Sequence, residues 1–312
     1  MKVCVLGAGS LGSTIGGALA LDGHEVHLVA RAAHVNAMNE KGLTIVTPTG
    51  EEVAQVVGHE TPDGIGVCDL IIVLCKAFDT EKTMKDAIGL VGPDTVVMSL
   101  QNGLGAEDVL SEIVGAEHVI GGKTYIGGML LEPGRVKGTI PGKETLIGEL
   151  DGAITPRVQA IGDAFNHAGM MTTVSDNIMG VIWDKLLINV STGAVCAITG
   201  LPYGWVYQIP EIKEVALAAV REGMAIAGAA GVPLRFDTPE QSWELAREGL
   251  GFDFKPSLQQ SLESGRRTEI DFIAGAVVRE GKKYGIPTPV NSTLVAMVKG
   301  REKYNEEYAF KK

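Results

Sequence analysis

Met1-Lys-Val-Cys-Val-Leu-Gly-Ala-Gly-Ser-Leu-Gly-Ser-Thr-Ile-Gly16 is the stretch from which the fold is read. Lys2 to Leu6 is a short apolar run, the pattern of a strand buried on both faces. Gly7, Gly9 and Gly12 follow in the spacing G-x-G-x-x-G, and Leu11, Ile15, Ala18 and Leu19 then recur on one helical face. Strand, glycine turn and helix in that order are the context a dinucleotide fingerprint needs. Gly7 allows the tight turn, Gly9 lets a pyrophosphate approach the backbone, and Gly12 lets the helix pack close to the strand. N–H groups at the helix start, with the helix dipole behind them, favour an anion. Gly7, Ala8, Gly9, Ser10, Leu11 and Gly12 are therefore the expected phosphate loop.

A glycine triplet alone is weak evidence, so the next element matters. Gly23-His24 turns the chain, Glu25 to Val29 reads as a second strand, and Arg31 stands just after it. Asp or Glu at this point would hold the ribose hydroxyls of NAD; Arg can pair instead with the 2′-phosphate of NADP. No acid lies between Val26 and His34. NADP is thus the expected cofactor, against the plainer reading that Arg31 caps a strand on the surface.

The 312 residues suggest two domains, because single cores rarely grow past about 250–300 residues. A hydrophobic fraction of 45%, with 21% charged residues and 41 glycines, indicates a turn-rich α/β protein rather than a disordered one. A net charge of −11 argues against nucleic acid and anionic membrane as partners. Cys4, Cys68, Cys75 and Cys196 lie in apolar segments without a C-x-x-C pair, which points to reduced, buried thiols in a cytoplasmic protein. The chain opens directly on a strand. No signal peptide and no apolar stretch long enough to span a bilayer is evident.

Past Arg31 a helix to about Lys41 leads to a strand at Leu43–Val46, a turn at Thr49-Gly50 and a strand from Glu51 to Val57. Cys68 to Cys75 is a buried strand ending in Lys76-Ala-Phe-Asp79, followed by a helix to about Gly92. Thr95 to Leu100 is the next, ending in Gln101-Asn-Gly-Leu-Gly105 before another helix. Strand–helix alternation means a parallel sheet with right-handed crossovers, and ligands sit beyond the carboxyl ends of such strands. The glycine loop, Lys76 and Gln101-Asn102 all stand at those ends. Lys123–Leu131, Gly134–Ile140 and Glu144–Gly148 read as short antiparallel additions to the sheet. A helix at Ile154–Ala168 and a strand at Met171–Ser175 close the half. Asp176 is the expected N-cap of a long helix to about Thr199. Further helices are expected at Pro210–Ala230, Pro239–Leu250, Pro256–Glu263, Arg267–Tyr284 and Asn291–Lys303. The expectation is a Rossmann-type α/β domain over residues 1–175 and a mostly helical domain over 176–312.

With a nicotinamide supplying hydride, the protein must supply a proton donor, an anion site and orientation. All six histidines (24, 27, 34, 59, 118 and 167) lie in the expected nucleotide-binding domain, and none in the helical one. His24-Glu-Val-His27 sits on or beside a strand, and a surface role outweighs a metal site, so no metal is expected. Lysine is then the candidate. Lys185 and Asn189 in Trp183-Asp-Lys-Leu-Leu-Ile-Asn-Val-Ser-Thr-Gly193 share one helix face. In so apolar a stretch Lys185 either snorkels to water or is aimed into a cleft, where desolvation would suit it to acid–base work. Glu269, in Arg266-Arg-Thr-Glu-Ile-Asp271, opens a helix and is otherwise an ordinary first-turn acid.

Together, the glycine fingerprint, Arg31, Lys76, Gln101-Asn-Gly-Leu-Gly105, Trp183-Asp-Lys185, Asn189 and Arg266-Arg-Thr-Glu-Ile-Asp-Phe272 resemble the ketopantoate reductase family across nearly the whole chain. The resemblance implies a Rossmann domain followed by a helical domain, and NADPH-dependent reduction of 2-dehydropantoate to (R)-pantoate in pantothenate synthesis. It implies that Lys185 is the general acid and Glu269 its partner, orienting lysine and substrate. Asn102 and Ser257 would contact the substrate carboxylate, Asn189 its hydroxyl, and Lys76 the cofactor–substrate junction. Arg31 matches the 2′-phosphate contact, and Asn102 and Glu269 also border the cofactor. A homodimer is a family-level expectation. Gly193 departs: the family often has a second asparagine there, and either Ser191 or Thr192 compensates or the pocket takes a different, bulkier 2-oxo acid. The other readings are a paralogue or opine-type dehydrogenase, and a non-catalytic NADP redox sensor, which would have no use for Lys185 and Glu269.

Overall fold

The computed structural model describes residues 1–47 and 50–309. The chain forms two compact units. The first holds Met1–Gln101 and Ala106–Ile178, the second Asn102–Gly105 and Met179–Lys312.

The first unit contains twelve strands among the described residues: β1 (Lys2–Leu6), β2 (Glu25–Val29), β3 (Leu43–Thr47), β4 (Gly50–Ala54), β5 (Val57–His59), β6 (Leu70–Val73), β7 (Val96–Ser99), β8 (Val119–Thr124), β9 (Gly127–Glu132), β10 (Arg135–Thr139), β11 (Thr145–Glu149) and β12 (Thr172–Val174). Eight of them form one sheet in the order β12-β11-β8-β7-β6-β1-β2-β5. Every neighbouring pair is parallel except β11 with β8. The apolar runs predicted for β1, β6 and β7 are buried along almost their whole lengths, as strands covered on both faces must be. The helices are α1 (Ser10–Leu21), α2 (Ala32–Lys41), α3 (Thr80–Asp86), α4 (Ala106–Val114) and α5 (Pro156–His167).

The segment after β8 departs from expectation. Lys123–Leu131 is not one strand: it breaks at Tyr125-Ile126, and its halves belong to different sheets. β9 and β10 join β3 and β4 in a second sheet, ordered β4-β3-β10-β9, and only β11 extends the main sheet antiparallel. Alternation in sequence identifies a strand but not its partner. What selects the partner here is close approach to α1: a Cβ on Gly128 would stand 2.7 Å from the Ser10 carbonyl and the Thr14 hydroxyl. The expected turn at Thr49-Gly50 lies in part outside the described residues.

The second unit is helical: α6 (Ile178–Thr199), α7 (Tyr203–Val206), α8 (Pro210–Ala229), α9 (Pro239–Arg247), α10 (Ser257–Glu263), α11 (Ala274–Tyr284) and α12 (Pro289–Tyr304). Ile178, Ile182, Leu186 and Val190 recur at four-residue intervals on α6 and are buried. The Glu222 carboxylate on α8 accepts the N–H groups of Val290 and Asn291 at 2.8 and 3.0 Å, which caps the start of α12. Two boundaries differ from expectation. α6 begins at Ile178, two residues beyond the cap assigned to Asp176. The helix foreseen from Arg267 begins only at Ala274, after a 3₁₀ turn at Ile270–Phe272. Contrary to expectation, α6 is long and apolar enough to cross a membrane by length and composition, yet it is mostly buried inside the protein. All four cysteines are free thiols, three of them buried.

His34 ties the glycine helix to the second sheet. The Gly134 N–H donates to Nδ1 at 2.8 Å, so Nδ1 carries no proton. Nε2 then carries it and donates to the Ser13 hydroxyl at 2.9 Å. That hydroxyl donates to the Ala8 carbonyl at 3.2 Å. Burial holds the His34 pKa below its ordinary value, because charging the ring costs hydration. A depressed histidine contributes stability that is present above the unfolded-state pKa of about 6.5 and is lost as pH falls through the folded value. Urea unfolding of wild type and His34→Gln at pH 8 and pH 5.5 checks this. At pH 8 the variant should be less stable by about 1–3 kcal/mol, and the gap should narrow at pH 5.5.

Candidate active site

β1 and β6 lie side by side at the centre of the main sheet, and from them the strand order runs outward in opposite directions. Such a switch point is where parallel sheets hold ligands, beyond the carboxyl ends. Gly7 and Cys75 leave those two strands and touch: Gly7 has φ +95, and a Cβ there would stand 2.6 Å from the Cys75 Cα. No other residue fits. The Gly7 and Ala8 N–H groups donate to the Val29 carbonyl at 3.2 and 2.8 Å, and the Gly9 N–H to the Gly7 carbonyl at 2.8 Å. These three shape the loop. By helix geometry the N–H groups of Ser10, Leu11 and Gly12 lack intrahelical acceptors. Among the described residues no side chain caps α1 and nothing lies within 4 Å of where a Gly9 Cβ would be, and the first turn of α1 holds no acid. An uncapped, unfilled helix start of this kind fits the pyrophosphate of a dinucleotide. Arg31 sits exposed at the N-cap of α2, directly past β2, with no side-chain hydrogen bond or ion pair among the described residues.

Lys76 follows Cys75 and caps a 3₁₀ turn, exposed to solvent. The Gln101 side chain ties this loop to the end of β7. Its amide nitrogen donates to the Cys75 carbonyl at 2.7 Å and to the Thr80 hydroxyl at 2.8 Å. Its oxygen accepts from Ser99 Oγ at 3.2 Å. The loop ends bearing Lys76 and Gln101 are thus one hydrogen-bonded body.

In the second unit, two motifs far apart in sequence meet. The Leu104 N–H donates to the Phe272 carbonyl at 3.0 Å. Arg279 donates to the carbonyls of Leu104 and Asp271 at 3.2 and 2.5 Å. Gly103, at φ +93, lies so close to the Phe272 carbonyl that a Cβ would collide with it. The loop of half-buried Asn102 is thereby docked on the turn of half-buried Glu269. This contact explains the late start of α11, since the Phe272 carbonyl bonds the loop instead of a following helical turn.

Lys185 and Asn189 are both half-buried on one face of α6. One turn further, Gly193 is buried, and among the described residues an added Cβ would meet only Leu258 of α10, at 3.9 Å. Exposed Ser257 precedes Leu258 at the start of α10. The neighbouring hydroxyls are committed elsewhere. Ser191 donates to the Ile188 carbonyl at 2.7 Å, and Thr192 bonds the Tyr203 hydroxyl at 2.8 Å.

Sequence reasoning passed over three buried charged residues here. Asp184 accepts the Arg235 N–H at 3.1 Å, and burial raises its pKa. Lys123 and Glu107 lie together inside the first unit. A lysine in the otherwise small and apolar run Val119–Thr124 is the signal that could have drawn notice.

A dinucleotide-binding α/β unit joined to a helical unit bearing a half-buried lysine defines a class of two-domain reductases. Residues 3–152 match the ketopantoate reductase PanE/ApbA family, and residues 177–302 match its C-terminal domain. The 2-dehydropantoate 2-reductase of Halobacterium salinarum is 35% identical, over 96% of this chain and 98% of its own. That of Pyrococcus horikoshii is also 35% identical, over 97% and 98%. Among solved structures, a PanE/ApbA family ketopantoate reductase from Ralstonia eutropha JMP134 superposes with a TM-score of 0.90 at 32% identity, over 98% of this chain and all (100%) of that one. D-mandelate dehydrogenase, solved with NADH and anilino(oxo)acetate, gives 0.89 at 28% identity over 98% and 100%. The chain belongs to the ketopantoate reductase family, whose enzymes use a nicotinamide dinucleotide.

Proposed function

We propose that the protein reduces 2-dehydropantoate to (R)-pantoate with NADPH, a step of pantothenate and coenzyme A synthesis. The observation that carries this reading is the match of both halves of the chain, at nearly full length, to 2-dehydropantoate 2-reductases. The bound dinucleotide supplies a hydride to the C2 carbonyl carbon. Lys185 holds the proton that the developing alkoxide takes up, and Glu269 orients the lysine and borders substrate and cofactor. Asn102 and Ser257 hold the carboxylate, Asn189 bonds the hydroxyl, and Lys76 lies at the junction of substrate and nicotinamide. The loop Gly7–Gly12 holds the pyrophosphate and Arg31 the 2′-phosphate, which makes NADPH the preferred cofactor.

A second reading, another 2-oxo acid as substrate, is favoured by the missing side chain at Gly193, where an added Cβ would make only ordinary contact with Leu258. Neither Ser191 nor Thr192 compensates, since both hydroxyls are engaged elsewhere. The test of both readings is NADPH oxidation against a panel of 2-oxo acids that includes 2-dehydropantoate. Failure on every acid would sink the proposal; preference for a larger acid would move it to the second reading. In that case Gly193→Asn should raise kcat/KM on 2-dehydropantoate and lower it on the larger acid, since a hydroxyl gaining or losing its partner shifts this ratio by orders of magnitude.

Two variants test the roles. Lys185→Ala should lower kcat by about 10²–10⁴-fold, because a proton donor acts in the transition state. Its NADPH affinity should stay near wild type; near-normal turnover would return Lys185 to a snorkelling surface lysine. Arg31→Ala should weaken NADPH binding and leave NADH nearly untouched, because it removes a charge-assisted phosphate contact. Dissociation constants for both cofactors decide this, and an equal loss would refute the assignment.

A further inference from the structure

We propose that Lys123 is a positioning residue for the reaction, acting through the peptide bond that joins Gln101 to Asn102. The inference rests on the reading of Asn102 as a contact to the substrate carboxylate. Lys123 stands near the end of β8 and is 1% exposed. Its ammonium donates to the Gln101 carbonyl at 2.7 Å and lies 3.5 Å from Oε1 of Glu107, itself 2% exposed. The other Glu107 oxygen, Oε2, is buried with no hydrogen-bond partner among the described residues.

A buried ion pair of this kind is a poor stabiliser. Desolvating two charges costs about what their attraction returns, and apolar replacements are often neutral or better. Its presence calls for a second account, and the carbonyl supplies one. β7 leaves its ladder with β8 after Ser99, which is paired with Gly121. The Gln101 carbonyl therefore lies beyond the strand register, and the lysine is what satisfies it. That carbonyl shares one rigid plane with the Asn102 N–H, so holding it sets the direction in which the chain enters Asn102. On the same residue, the Gln101 side chain bonds the Cys75 carbonyl, one peptide before Lys76. One buried cation thus holds the backbone of Gln101, the residue that leads into Asn102 and whose side chain holds the Cys75 carbonyl before Lys76. Misplacing such a contact by about 1 Å can cost on the order of 10²-fold.

Lys123→Met alone leaves Glu107 buried and unpaired and can fail to fold for that reason, so the informative protein is Lys123→Met with Glu107→Gln. It should unfold at nearly the wild-type midpoint and bind NADPH within about twofold of wild type, while KM for the best 2-oxo acid of the panel rises about tenfold or more with a smaller change in kcat. Glu107→Gln alone keeps the ammonium on the carbonyl and should raise KM far less. An unchanged KM in the double variant overturns the proposal, as does an equal rise in both proteins. A double variant that does not fold makes Lys123 a stability element and also overturns it. A wild type that reduces none of the acids overturns the functional reading instead, and this inference with it.

Discussion

The approach of Gly7 to Cys75 is the constraint on which the rest depends. Two parallel strands leave the sheet side by side, and Gly7 and Cys75, one and two residues beyond their ends, are in backbone contact. Only a residue without a Cβ, free to take φ +95, closes that gap. The contact fixes where α1 begins, because the Gly7 and Ala8 N–H groups are spent on Val29 and the chain then turns at Gly9 into the helix. It also fixes where Lys76 begins, one residue past Cys75. The candidate anion site and the candidate lysine beside it are therefore set by one packing event at the switch point of the sheet.

Hydrogen bonds then propagate that order outward. Ser13 and His34 lock the Ala8 carbonyl from one side, and Gln101 locks the Cys75 carbonyl from the other. Each of these side chains is buried and polar, so each is satisfied or costly. Loops beyond the carboxyl ends of the strands gain rigidity this way without hydrophobic packing of their own.

What was legible in the sequence was local. The strand, glycine turn and helix of residues 1–21 could be read because each signal lies within a few residues of the next. The apolar runs of β6 and β7 were equally plain. What could not be read was pairing at a distance. β9 and β10 alternate like additions to the main sheet, yet they pair in a second sheet, with Gly128 and Gly138 packed closely on α1. Glu269 looked like the first turn of a helix, yet a loop from residues 102–105 takes the carbonyl that such a helix would use. Lys123 and Glu107 are sixteen residues apart, and no periodicity brings them together. The candidate site followed the same divide: the residue types and their helix faces were visible, and the contact of the Asn102 loop with the Glu269 turn was not.

The apolar character of α6 raises the question of how a helix buried so deeply can present a lysine in one direction only. Composition alone permits several rotations of a helix that is apolar on most sides. The residue before Lys185 removes that freedom. Asp184 is buried and accepts the Arg235 N–H, and successive residues on a helix point about 100° apart. A carboxylate engaged on one side therefore turns Lys185, and Asn189 one turn on, toward another. Burial raises the Asp184 pKa, so its charged form is held at some electrostatic cost. On this argument Trp183-Asp-Lys185 works as a unit. The tryptophan and the apolar positions bury the helix, the aspartate sets its rotation, and the lysine takes the direction that remains.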